Sequence, residues 1–239
     1  MISTNLETHI MNTQKPRYDI YRLIHKALRE CMGEVLTAVG RMDPDDNLER
    51  AAALARVREM LAFCSMHLKK EDEFVHTAME LRAPGSSQHT LGDHAHHLES
   101  FQDLEAATIA VETSDAGSRA AAAHSLYRKL GLFVGENFSH MYTEETANNE
   151  VLWRTYADSE LVALENAIVA SATPPEKAFS LRWMLPAISP AERAALLNVV
   201  RPNLPPTVFA DILNGLQARL SESNWEKLCT ALAVPALAA

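Results

Sequence analysis

Four stretches of this chain repeat apolar residues at alternating three- and four-residue spacings, and each repeat is interrupted by residues that an apolar core rejects. Alternating spacings of this kind keep side chains on one stripe of an α-helix, so each stretch reads as a long helix with one face turned inward. The first stripe is Tyr18, Tyr21, His25, Leu28, Met32, Val35 and Val39. The second is Ala53, Val57, Met60, Cys64, His67, Glu71, Phe74, Ala78 and Leu81. His94, His97, Phe101, Leu104, Thr108 and Val111 make the third, and Leu126, Leu130, Phe133, Asn137, His140, Glu144, Ala147 and Val151 the fourth. Turn chemistry bounds them: Asp43-Pro44-Asp45-Asp46-Asn47, Ala83-Pro84-Gly85-Ser86-Ser87 and Ser114-Asp115-Ala116-Gly117. The helices are therefore expected at about 18–39, 48–82, 89–113 and 118–156.

Seven stripe residues carry the chemistry: His25, His67, Glu71, His94, His97, His140 and Glu144. Burying an imidazole or carboxylate without a partner costs several kcal/mol, about the size of a domain's stability margin. A single such histidine is an ordinary satisfied core residue. Five histidines and two glutamates spread over four helices call for one shared cation with N and O donors, and a hydrogen-bonded polar core is the alternative. Two of the pairs, His67–Glu71 and His140–Glu144, are HxxxE, which puts both side chains on one side of a helix where they can share a metal. The intervals along the chain agree. From His25 to His67 is 42 residues, from His67 to His94 is 27, and from His97 to His140 is 43. Long, short, long is the order required of ligands at one height in an up-down-up-down bundle.

Other candidates read as ordinary. His9, His76, His89, His96 and His124 lie off the stripes or at ends and are expected in solvated or structural roles. Tyr18 and Tyr21 read as core aromatics, or else as supports for His25 or direct ligands, and Cys64 as a small core hydrophobe.

After Asp158 the segments shorten and proline punctuates them, which predicts four or five short helices over 158–239 as a smaller subdomain beside a bundle over 1–157. Thr173/Glu176, Ser189/Glu192 and Ser223/Glu226 fit capping boxes, with Pro174 and Pro190 at the first helical position. All seven candidate ligands precede Asp158, so the C-terminal third is expected to be dispensable for metal binding. The fold class is all-α: scarce glycine (8) and few aromatics (6%) weigh against sheets.

Charge and cysteine usage limit the partners. A net charge of −9 with no basic block argues against nucleic acid and anionic membrane. No apolar run is long enough to span a bilayer. Three cysteines without CxxC spacing, and an N-terminus lacking a basic region ahead of an apolar run, read as reduced thiols in a cytoplasmic protein.

The pattern of His on the first helix, HxxxE on the second, His on the third and HxxxE on the fourth resembles the hemerythrin-like (HHE cation-binding) domain over about residues 18–156. The resemblance implies a four-helix bundle with a carboxylate-bridged non-haem di-iron centre that meets dioxygen, nitric oxide or peroxide. It makes His25, His67, His97 and His140 terminal imidazole ligands and Glu71 and Glu144 the bridges, with manganese or zinc as lesser alternatives to iron. Oxygen carriers of the family use two histidines four apart on the third helix. Here His94 and His97 are three apart, and His97 fits the layer set by His67 and His140 better. Binding, sensing or detoxifying a small ligand is the leading expectation. A di-iron oxidase, peroxidase or iron-donating repair enzyme is the second. A metal- or redox-controlled interaction module is the third, with C-terminal helices exposing Trp183 or Trp225 to a protein partner or another copy.

Overall fold

The computed structural model describes residues 16–233; His9 and the N-terminal stretch read for a leader lie outside them. Among the described residues every regular element is a helix, and no helix is long and apolar enough to cross a membrane. Helix α1 spans Arg22–Arg41. It begins four residues later than its stripe suggests because tertiary bonds claim the preceding backbone. Trp153 Nε1 donates to the Tyr18 carbonyl at 2.8 Å, and Arg17 donates to the carbonyls of Trp153 and Tyr156 at 2.7 and 2.8 Å.

Helix α2 spans Asn47–Lys70 and starts at Asp46, whose carboxylate accepts from the backbone N–H groups of Leu48 and Glu49. It runs without a break through a π-helical segment, Glu71–His76, into α3, Thr77–Arg82. Gly85 turns the chain with φ of +85°, in the left-handed region that glycine enters freely. Helix α4 spans Gln88–Thr113 and α5 spans Ala116–Thr143. A second π segment, Glu144–Asn148, carries α5 into α6, Asn149–Thr155.

Each of the four long segments packs on two others: α1 on α2 and α5, and α4 on the same two. Leu28, Met32, Val35, Leu54, Val57, Met60, Leu104, Leu126, Leu130 and Phe133 are buried between them. The stripes survive as far as the two HxxxE glutamates and then slip by one residue. Beyond Glu71 the buried residues are Val75 and Met79 instead of Phe74 and Ala78, and Leu81 is 78% exposed. Beyond Glu144 they are Asn148 and Leu152 instead of Ala147 and Val151. A π turn closes i→i+5 bonds and so inserts one residue into the α register, which moves every later side chain round the helix.

Five short α-helices follow: α7 Asp158–Ser171, α8 Pro174–Ala187, α9 Pro190–Val200, α10 Pro206–Gln217 and α11 Glu222–Leu232. Capping boxes at Thr173 and Ser189, with Pro174 and Pro190 first in their helices, stand as expected. At α11 the cap is Ser221, accepting from the Asn224 N–H, because the helix begins two residues before the Ser223 start read from sequence.

Helices α7 and α8 do not stand apart from the bundle. Leu161 is buried with Ile20, Tyr21, Val75, Met79 and Leu152. Trp183 is buried in the bundle core, and Phe179 meets Phe63 edge-on at 5.3 Å. Helices α9 to α11 close a second core on Leu185, with Leu197, Phe209, Leu213, Trp225 and Leu228. Both Trp183 (4%) and Trp225 (6%) are buried, so the exposed indole face expected of an interaction module is not there. The three cysteines are free and buried.

Candidate metal centre

The two π segments begin at Glu71 and Glu144, one turn after His67 and His140, and both carboxylates point into the bundle. Helix α1 adds His25 and α4 adds His94. Around the glutamates the donor atoms fall into two overlapping sets within 4.8 Å of one another, His25, His67, Glu71 and Glu144, and Glu71, His94, His140 and Glu144, while a separate set, Asp72, His76 and His94, adjoins them at His94. The two glutamates belong to both sets. His67 Nε2 is 3.1 Å from Glu71 Oε1, and His25 Nε2 is 3.6 Å from Glu71 and 3.4 Å from Glu144. On the other side His94 Nε2 is 3.6 Å from Glu71 and His140 Nε2 is 3.4 Å from Glu144.

Of the third-helix pair, it is His94 that reaches the carboxylates. His97 belongs to neither set; its ring lies edge-on to His140 with centroids 4.9 Å apart. The sequence reading favoured His97 on layering; in the fold it is the His94 donor atom that lies with those of Glu71, His140 and Glu144. His97 instead lines a cavity of about 20 Å³ that it shares with His67, Glu71, His94 and His140 of the cluster and with Phe101 and Asn137. That volume is room for about one water-sized group.

The residues fit a cation on three observations. His25 Nε2, His67 Nε2, Glu71 Oε1 and both carboxylate oxygens of Glu144 are buried without a hydrogen-bond partner among the described residues. Each such orphan costs about 1–3 kcal/mol, more when charged. His94 Nε2 and His140 Nε2 face each other at 3.1 Å while their Nδ1 atoms are engaged by Asp72 at 2.7 Å and Asp93 at 3.1 Å. With each Nδ1–H donating to a carboxylate, both Nε2 atoms present lone pairs to one another, an arrangement that a cation relieves. Finally, the carboxylates diverge in acidity. Burial would raise Glu71, but His67 and His25 hold it well below the usual range. Burial and then the charge on Glu71 push Glu144 well above it. Two carboxylates this close share a proton unless a cation takes its place.

The imidazoles are set for donation. Burial lowers His67 despite Glu71 beside it, and takes His140 down to about 4 against the pull of Asp93. Burial, with His140 and His94 nearby, takes His97 to about 4 as well. His25 goes the other way: burial would lower it, but Glu145 and Glu71 outweigh that and raise it. Glu145 Oε1 lies 3.0 Å from His25 Nδ1 and is also paired with Arg29, contacts that outweigh burial and hold Glu145 at about 2. Tyr21 stacks on His25 with centroids 5.0 Å apart and accepts from Asn148 Nδ2 at 3.3 Å. Tyr18 turns away and bonds Glu165.

Sequence reasoning missed Asp72, Asp93, Glu145 and His76. His76 is buried, and its Nδ1 lies 3.0 Å from Asp72 while Nε2 lies 3.1 Å from the Thr90 hydroxyl. It looked off-stripe because the π insertion that brings it inward is invisible to a count of α spacings. The acids had a signal: each HxxxE is followed at once by a second acid, Asp72 or Glu145. His89, His96 and His124 are exposed, as expected.

A helical chain that gathers imidazoles and carboxylates from four segments around a shared pair of glutamates belongs to the metal-binding helical proteins. The model of the hemerythrin HHE cation-binding domain matches residues 17–148, more than half of the chain, and the chain belongs to that family. No curated protein and no solved structure matches it.

Proposed function

We propose that this is a non-haem di-iron protein of the hemerythrin type, which binds, senses or detoxifies dioxygen, nitric oxide or peroxide. The observation that carries the reading is the pair of donor sets sharing Glu71 and Glu144. His25 and His67 would hold one ion, His94 and His140 the other, and the two glutamates would bridge them in an up-down-up-down four-helix bundle. The order of neighbours among α1, α2, α4 and α5 supports that arrangement. Imidazole and carboxylate together suit iron; manganese accepts the same donors, and zinc favours fewer. When bound, such a pair supplies open coordination positions and reversible one-electron chemistry. Around it the chain keeps bulk water away from Glu71 and Glu144, and burial favours neutral His67 and His140, ready for donation; a cavity of about 20 Å³ adjoins these side chains.

One observation favours a second reading, a di-iron oxidase or peroxidase. With His94 alone from α4, four imidazoles and two bridging carboxylates fill about eight of the twelve positions of two octahedral ions. That leaves more room for redox chemistry than reversible carriage needs. Metal analysis of protein made under iron-replete conditions, with optical spectra before and after air, tests both. About two irons and a reversible oxygen-dependent band support binding, and irreversible bleaching on turnover with peroxide supports the enzyme. Protein without bound transition metal contradicts both.

A further inference from the structure

We propose that Asp72 and Glu145 are positioning residues, each set by its π turn to fix the orientation of a histidine from another helix. The inference rests on the di-metal reading above and goes beyond its ligand set. The two sites repeat one plan. Glu71 and Glu144 open the π segments and face the cluster, and the next residue in each reaches a histidine ring from outside it. Asp72 Oδ1 lies 2.7 Å from His94 Nδ1, and Glu145 Oε1 lies 3.0 Å from His25 Nδ1.

In a regular α-helix neighbouring residues diverge by about 100°, so the second of two that serve one site stands at the edge of the inner face, as Asp93 does beside His94 when it meets His140 Nδ1 at 3.1 Å. The wider π turn brings them closer in angle. A carboxylate accepting from Nδ1–H selects the tautomer whose Nε2 lone pair points the other way, here toward Glu71 and Glu144, and makes that nitrogen the better donor. Each acid is itself held: Asp72 by His76 at 3.0 Å, and Glu145 by Arg29. Their side chains are 37% and 26% exposed, so they stand at the rim of the cluster.

The test is a titration of the metal-free full-length protein with Co(II) alone, reading affinity and the visible ligand-field bands. Asp72→Asn and Glu145→Gln are expected to weaken binding roughly 10- to 100-fold and to shift the bands, since the ring loses its charged acceptor and the amide NH2 can turn toward it instead. Glu73→Gln, on the exposed side of the same π segment, is expected to stay within about twofold of wild type. Asp72→Glu and Glu145→Asp keep a carboxylate and are expected to bind more tightly than the amides. Affinity and bands unchanged in the amides, or acids as impaired as amides, overturn the inference while leaving the di-metal reading intact. Wild-type protein that binds no Co(II) overturns the di-metal reading itself, and this inference with it.

Discussion

A carboxylate sealed from water keeps its charge only beside a cation, and Glu144 has no exposed surface, no hydrogen bond to either oxygen, and only imidazoles, at 3.4 Å, beside it. Glu71→Ala and Glu144→Ala are therefore expected to lose most of the bound metal, while His96→Ala and His124→Ala, both on exposed positions, keep it. On α4 the distances assign opposite outcomes to the two histidines. His94→Ala should remove at least one ion per chain, and His97→Ala should retain both while altering the reaction with small ligands in the adjoining cavity. Metal-to-protein ratios of the purified variants decide this, and an emptied site in His97→Ala with a full one in His94→Ala reverses the assignment. The same rings set a pH limit. His97 and His140 titrate near 4 in the fold and near 6.5 when unfolded, so protons bind the unfolded chain first. Their contribution to stability is complete above about pH 6.5 and is lost as the pH falls toward 4. The melting temperature of the metal-free protein is expected to drop by roughly 5 °C or more across that window, and a flat profile would contradict the assignment of neutral rings.

At the scale of elements, the π segments decide both what the site contains and what the sequence could show of it. Heptad counting located the helices and singled out His25, His67, Glu71, His94, His140 and Glu144, whose donor atoms the fold brings close together, along with His97, which stays outside those sets, because up to Glu71 and Glu144 the backbone is regular α. It failed for Phe74, Ala78, Leu81, Ala147 and Val151, which are the residues past the two insertions, and it left His76 on the wrong face. No apolar spacing announces a π turn, since a count of α spacings presumes the register that the turn shifts. Removing Glu73, an exposed residue, restores α spacing between Glu71 and the buried Val75 and Met79. That deletion should preserve helicity and core packing yet weaken metal binding by roughly tenfold or more, because Asp72 turns away from His94. Circular dichroism and Co(II) titration on the same sample check it. Unchanged affinity would mean that the π turn has no part in the site.

Across the whole molecule, the C-terminal third packs α7 and α8 against the bundle and closes a core of its own with the helices that follow. Helix α8 lies along α1, which carries His25, and the α9 N-terminus clamps the outer face of α1 through Glu192, paired with Arg22 and Lys26. Arg219 reaches Glu34 on the same helix. Proline and capping signals gave these helices their boundaries but could not show that Trp183 fills the bundle core, since an amphipathic short helix does not name its neighbour. Trp183→Ala is expected to cost about 3–5 kcal/mol in denaturant unfolding while leaving the metal content of the folded protein unchanged. A loss of metal without a loss of stability would instead tie α8 to the site. The central claim, two ions bridged by Glu71 and Glu144, is tested most directly by anomalous diffraction at the iron edge from crystals of protein made in iron-replete medium. The account predicts two peaks about 3.5–4 Å apart, one beside His25 and His67 and the other beside His94 and His140. A single peak, or density centred instead on Asp72, His76 and His94, would contradict it.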